Sequence, residues 1–164
     1  MDALGEIRSI LVPTDFSVEA GQALQAAIQM ARLFHASIEV FHVEIDATVV
    51  LPPPADILTV PLMTARVIAG AAERLEQAAA EVRAAGVQCT AASESGRTHA
   101  AICEHAKRSG AGMIVMATHR RHGLKHVILG SVVGKVVDHA PCPVLVVPGS
   151  AAGGSPASPG ATGP

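Results

Sequence analysis

The segment GMIVMATHRRHGLKHVILGSVVGKVVDHAPCPVLVVP, residues 112–148, contains two short apolar runs separated by a basic loop and a short helical stretch. Residues 112–118 are almost wholly apolar and too few for an independent helix, so they read as a buried strand. Ser131 to His139 reads as a short helix. The run from Pro143 to Val147 reads as a further strand, its limits set by the prolines on both sides. Strand, helix and strand in close succession are the unit of a parallel sheet.

The same alternation extends back to the N-terminal part of the chain. Residues 7–14, IRSILVPT, are apolar and β-branched and form the first strand. Ser17 can cap the next helix, in which Ala20, Leu24, Ala27, Ile28 and Ala31 recur at helical spacing. Residues 37–43 form the second strand. The following stretch, with its proline triplet at 52–54, reads as a long irregular connection. A long helix is expected over 64–85, with Val67, Ala71, Leu75, Ala78 and Val82 on one stripe and Gly86 ending it. A weaker third strand is expected over 87–92, and a helix from Thr98 to Ser109 stopped by Gly110.

Five strands alternating with helices imply an α/β fold with a parallel sheet, because right-handed crossovers place helices on both faces in a Rossmann-like three-layer sandwich. The folded domain is expected to span residues 1–148. Residues 149–164 contain Gly, Ser, Ala, Pro and one Thr, and are expected to form a disordered tail.

Composition limits the function. The chain has 164 residues, 49% hydrophobic and 16% charged, enough for one substantial core. It has no Trp, no Tyr and three Phe, so it lacks the aromatic platforms used to stack bases or a flavin. A net charge of −2 creates no broad field for DNA or a membrane surface, and a partner must be recognised locally. The acidic start, MDALGEIRS, does not resemble a secretory signal, and no run reaches the roughly 18 apolar residues of a spanning helix. A cytoplasmic protein is expected. Cys89, Cys103 and Cys142 are read as free thiols in a reducing compartment.

Ligands of such sheets sit beyond the carboxyl ends of the strands, where the winding reverses. That rule selects Pro13-Thr14-Asp15, the stretch from Val43 to Asp46, and the loop after the fourth strand. Standard phosphate motifs do not account for these positions. GSVVGKV, from Gly130, has three residues between its glycines where a Walker A loop needs four, and Val136 where Ser or Thr would bind magnesium. No G-x-G-x-x-G follows the first strand, and the nucleophile elbow G-x-S-x-G is absent. No nucleophile or base with an orienting third group assembles; the chemistry considered goes no further than slow ATP hydrolysis through Asp15. His119 and His122 with His126, or His99 with Cys103, have spacings that place potential metal ligands together, but neither set is complete. His35, His105 and His139 have no partner identifiable from the sequence.

What remains is a spacing: Ala117-x-x-Arg120, nine residues, then Gly130-Ser131. With ILVPTDFS at the first strand and HAPCPVLVVP at the last, this pattern resembles the universal stress protein family over residues 7–148. The resemblance implies strand order 3-2-1-4-5 and an adenine nucleotide, ATP or AMP, with or without magnesium, between strands one and four. It implies that Asp15 meets the adenosine part, that Val43 lines the adenine pocket with Pro13 and Thr14, and that Met116 and Ala117 border ribose and phosphates. Gly130, Ser131 and Val132 would offer backbone N–H groups and a hydroxyl to the phosphates, as the open first turn of a helix can. His119, Arg120 and Arg121 complete the implied site. It also implies a homodimer through strand five, Val144, Leu145, Val146 and Val147, whose apolar edge invites a second copy.

Two positions depart from the family pattern. Ala117 replaces a glycine and adds one methyl. Arg120 replaces another, at a cost of roughly 1–2 kcal/mol if the backbone there is left-handed. A guanidinium–phosphate contact is worth roughly 1.5–3 kcal/mol in the other direction. Two functions therefore stand side by side: a dimeric sensor of adenine nucleotide, and a dimeric interaction module whose pocket Arg120 blocks.

Overall fold

The computed structural model describes residues 7–44, 59–118 and 129–149. Its elements run β1 (Ser9–Pro13), α1 (Val18–Phe34), β2 (Ser37–Glu44), α2 (Thr59–Ala84), β3 (Cys89–Ser95), α3 (Thr98–Ser109), β4 (Met113–Thr118), α4 (Ser131–His139) and β5 (Val144–Pro148). The five strands are parallel and ordered β3-β2-β1-β4-β5. This is the expected α/β sandwich and the expected strand order.

Each strand of the sheet interior is buried on both faces, and alternate residues supply two cores. Ile10 and Val12 of β1, Ile38 and Val40 of β2 and Val115 of β4 pack with Ala23, Leu24, Ala27 and Ile28 of α1 and Leu75 and Val82 of α2. Leu11, Phe41, Val43, Ile114 and Met116 point to the opposite face, against Ala101, Ile102 and Ala106 of α3 and Val133 and Val136 of α4. A strand with apolar groups on both faces cannot slip register without breaking both cores.

The local signals place most helix ends. Ser17, in extended conformation, accepts a hydrogen bond from Ala20 N–H at 3.1 Å through its Oγ, satisfying one of the unpaired donors of α1. The helix stops at His35, which is left-handed (φ 53°) and returns its N–H to Ala31 O. Gly110 closes α3 in the same way at φ 66°.

Several boundaries differ from expectation. The third strand begins at Cys89, not Val87, and runs on to Ser95. Val87 finishes the helix exit instead: Gly86 turns at φ 80°, Val87 N–H bonds Val82 O, and the Val87 side chain is buried in the α1–α2 core. The polar Ser93, Glu94 and Ser95 pair with His42, Val43 and Glu44, which an edge strand tolerates because one side faces solvent. Helix α2 starts at Thr59, so Pro61 lies in its first turn, where a missing N–H costs no helical hydrogen bond. The strands β1 and β5 are each shifted or trimmed at their ends, to Ser9–Pro13 and Val144–Pro148.

Candidate functional site

The winding reverses between β1 and β4. β1 pairs with β2 from Ser9 to Pro13, whereas it pairs with β4 at Ile10 and Leu11. The two central strands therefore part before their carboxyl ends, opening the crevice in which ligands of this architecture sit.

One wall of the crevice is the turn from Thr14 to Ser17. Thr14 N–H donates to Phe41 O at 2.8 Å, tying the turn to β2. Its Oγ1 accepts from Phe16 N–H at 3.0 Å, and Asp15 Oδ1 accepts from Ser17 N–H at 3.0 Å. These side chains replace backbone pairing in a tight turn. Phe16 sits at φ 62°, a left-handed conformation rare for a bulky residue. His42 Nδ1 lies 2.8 Å from Thr14 O; a carbonyl only accepts, so this nitrogen carries the proton.

The other wall is built on the α3–α4 face. Val43 and Met116 are buried there at 7% and 5% exposure, with Val132 packed partly against them. Ala117 points to the opposite core, against α1. The structure thus brings together Val43, Met116 and Val132, and sets Pro13, Thr14 and Asp15 along the strand end between the two faces.

Helix α4 follows β4 and so begins at this end of the sheet. Its N-cap is Gly130, at φ −58° and ψ 157°, which supplies no side chain to the first-turn amides. Ser131 is exposed and opens the helix. A Cβ at Gly130 meets nothing described within 4 Å, and its φ lies in the range open to any residue. Neither backbone strain nor packing within the described residues accounts for glycine here. Among the described residues nothing obstructs the helix opening, whose donors and partial positive charge suit an anion.

His119, Arg120 and Arg121 lie outside the described residues, as do His122, Lys125, His126 and Asp46. Glu44 accepts a hydrogen bond from Ser93 Oγ at 2.9 Å. Among the described residues, no three His, Cys, Asp or Glu side chains converge as a metal site. No described helix is long and apolar enough to cross a membrane. The three cysteines are free thiols, and burial raises the pKa of each, which keeps them in the less reactive protonated form.

Sequence reasoning missed two clusters. Around the first turn, Arg74 of α2 donates to Phe16 O at 2.9 Å and lies over the Phe16 ring at 4.6 Å from its centroid. The His42 ring meets the same phenyl ring at 4.5 Å. Between these groups and α1 is a cavity of 230 Å³ lined by Thr14, Phe16, Ser17, Arg74, Gln77 and Glu81, among others. The second cluster centres on His105, which has partners after all. Its Nδ1 bonds Glu94, its Nε2 lies 3.1 Å from Glu39 off the line of a hydrogen bond, and its ring stacks on Phe41. His139 Nδ1 bonds Lys135 O at 2.8 Å.

The profile of the universal stress protein family matches residues 6–148. Universal stress protein YxiE of Bacillus subtilis (strain 168) is 32% identical over 143 residues, covering 84% of this chain and 97% of that protein. Universal stress protein UspA from Lactobacillus plantarum shares the fold with a TM-score of 0.71 at 25% identity, covering 87% of this chain and 99% of that one. Two more distant structures share it too: a universal stress protein in complex with cAMP (TM-score 0.65, 21% identity, 89% and 100% coverage) and one from Archaeoglobus fulgidus in complex with dAMP (0.63, 22%, 87% and 98%). The profile covers every element from β1 to β5, and the strand order, the reversal point and the glycine-capped helix all fall within it; the chain belongs to the universal stress protein family.

Proposed function

We propose that this chain binds an adenine nucleotide in the crevice between β1 and β4 and acts as a dimeric stress sensor in the cytoplasm. Asp15 meets the adenosine part, and Val43 lines the adenine pocket with Pro13 and Thr14. Met116 and Ala117 border the ribose. The amides of Gly130, Ser131 and Val132, with the Ser131 hydroxyl, receive the phosphates, and His119, Arg120 and Arg121 stand beside them. The observation that supports this reading is the glycine N-cap of α4, without a side-chain cap bond, at the carboxyl end of a sheet whose strands β1 and β4 part there. The relatives held with cAMP and dAMP support adenylate as the ligand class.

The dimer forms through β5. This strand ends the sheet, and Val144 to Val147 are half-buried in the single chain, so a second copy pairing there covers apolar area and unpaired backbone together. A reading without nucleotide is favoured by one contact: Asp15 Oδ1 is engaged by Ser17 N–H and serves the turn. In that reading the chain is a dimeric interaction module with its pocket blocked by Arg120.

Calorimetric titration with ATP, ADP and AMP, with and without magnesium, on the wild type and Arg120→Gly separates the two. Saturable binding by the wild type supports the sensor. Binding only by the Arg120→Gly variant supports the blocked module, and binding by neither removes adenylate as the ligand.

A further inference from the structure

Phe16 is the one non-glycine residue of the β1–α1 turn held at positive φ, at 62°. A phenylalanine does not choose that conformation unaided, so its surroundings must hold it. The holding groups come from two other elements. From β2, His42 donates to Thr14 O and places its ring 4.5 Å from the phenyl ring. From α2, Arg74 grips the same residue twice: its guanidinium donates to Phe16 O at 2.9 Å and its charge lies over the ring face at 4.6 Å. The side chains of Thr14 and Asp15 are bonded to the amides of Phe16 and Ser17, so any change in the backbone at Phe16 swings both.

We infer that Arg74 is a positioning residue for the nucleotide pocket: by clamping Phe16 in its left-handed conformation it aims Thr14 and Asp15 into the crevice between β1 and β4. This rests on the adenylate-binding reading above. Arg74 acts from the α1–α2 side of the sheet, whereas Val43, Met116 and Val132 form the α3–α4 side, so it touches no wall of the pocket on that face. Its effect passes through the turn, and it couples the placement of α2 to the adenosine end of the site.

The test is the affinity of Arg74→Met and Arg74→Lys for adenosine, AMP and ATP. Methionine keeps the stem and removes the charge and donors; lysine restores a cation and a donor without the fork. Arg74→Met is expected to weaken all three ligands by the same factor, about tenfold, given the modest strength of one cation–π contact and one hydrogen bond. Arg74→Lys recovers part of the loss. In a Phe16→Gly background, where glycine adopts positive φ freely, Arg74→Met costs less than about threefold.

Arg74 is exposed, so its replacement leaves the core intact, and thermal unfolding of each variant confirms the fold. If folded Arg74→Met binds ATP within about twofold of the wild type, or if its loss grows with phosphate number, the clamp is overturned while the adenylate reading stands. If the wild type binds no adenylate, both fall.

Discussion

His105 Nδ1 and Glu94 Oε1 lie 2.8 Å apart, joining the buried face of α3 to the end of the edge strand β3. Arg108 bonds the same carboxylate oxygen, and Phe41 stacks beneath the imidazole with ring centroids 4.1 Å apart. A carboxylate bonded by two cationic or protonated donors gives up its charge reluctantly. The hydrogen bond from His105, followed by that from Arg108, holds the Glu94 carboxyl below its ordinary value of 4.5.

The sign of the pH dependence follows. A carboxyl with a lower pKa in the folded state than in the unfolded chain stabilises the fold above the unfolded value. That contribution disappears as pH falls through the depressed folded value. The melting temperature is therefore expected to drop on acidification below about pH 4.5, the ordinary value of this carboxyl, and to drop less steeply in Glu94→Gln. Parallel melting curves for the two proteins between pH 7 and 3 would remove Glu94 as a contributor.

Ser17 caps α1 through the 3.1 Å bond from Ala20 N–H. Ser17→Ala leaves that donor without a side-chain acceptor at a cost of about 1 kcal/mol. For a chain of this size the melting temperature should fall by roughly 2–4 °C. An unchanged melting temperature would mean that another acceptor takes over the amide.

These contacts also show where sequence reading succeeds and stops. The Ser17 cap, the α1 stripe from Ala20 to Ala31 and the doubly buried β1 and β4 are local patterns, and helix and strand periodicity expose them directly. The start of α2 was misplaced because proline reads as a breaker, although Pro61 falls where a helix accepts it. Strand β3 was misplaced because Val87, the most β-prone residue nearby, serves the helix exit. In the proposed site, Pro13, Thr14, Asp15 and Val43 follow from the rule that ligands gather at strand ends, whereas Ser131 follows from the resemblance to the family. Arg74 does not: it meets Phe16 across 58 positions, and on its own helix it reads as one more exposed charge. His42 meets Thr14 across 28 positions, through a β1–β2 register that the chain does not spell out.

The proposed dimer rests on the β5 edge. Sedimentation equilibrium at micromolar concentration is expected to give twice the chain mass of 16.7 kDa. Introducing lysine at Leu145, in the middle of the edge, places a charge where the second copy must pack and should shift the mass toward that of one chain. A wild type that sediments as a single chain would leave the sensor without its proposed dimer.

Two glycines separate stability from binding. At Gly112 an added Cβ stands 3.1 Å from Ile7 Cα and 3.4 Å from Ser9 O, both backbone atoms, and the Gly112 amide is itself bonded to Ser9 O. The crowded atoms cannot swing aside, so Gly112→Ala should destabilise by about 1–3 kcal/mol, the usual cost of overpacking. At Gly130 the added Cβ meets nothing described within 4 Å and φ is −58°, so Gly130→Ala should stay within about 1 kcal/mol of the wild type, allowing for the poorer capping of alanine. The same methyl stands at the mouth of the α4 amides, where a phosphate must approach closely, and ATP affinity should fall at least about tenfold, since one contact worth about 1.4 kcal/mol suffices for that. Chemical denaturation and ATP titration of both variants check the contrast. A Gly130→Ala protein that binds ATP as the wild type does would place the phosphates away from α4, whatever its stability.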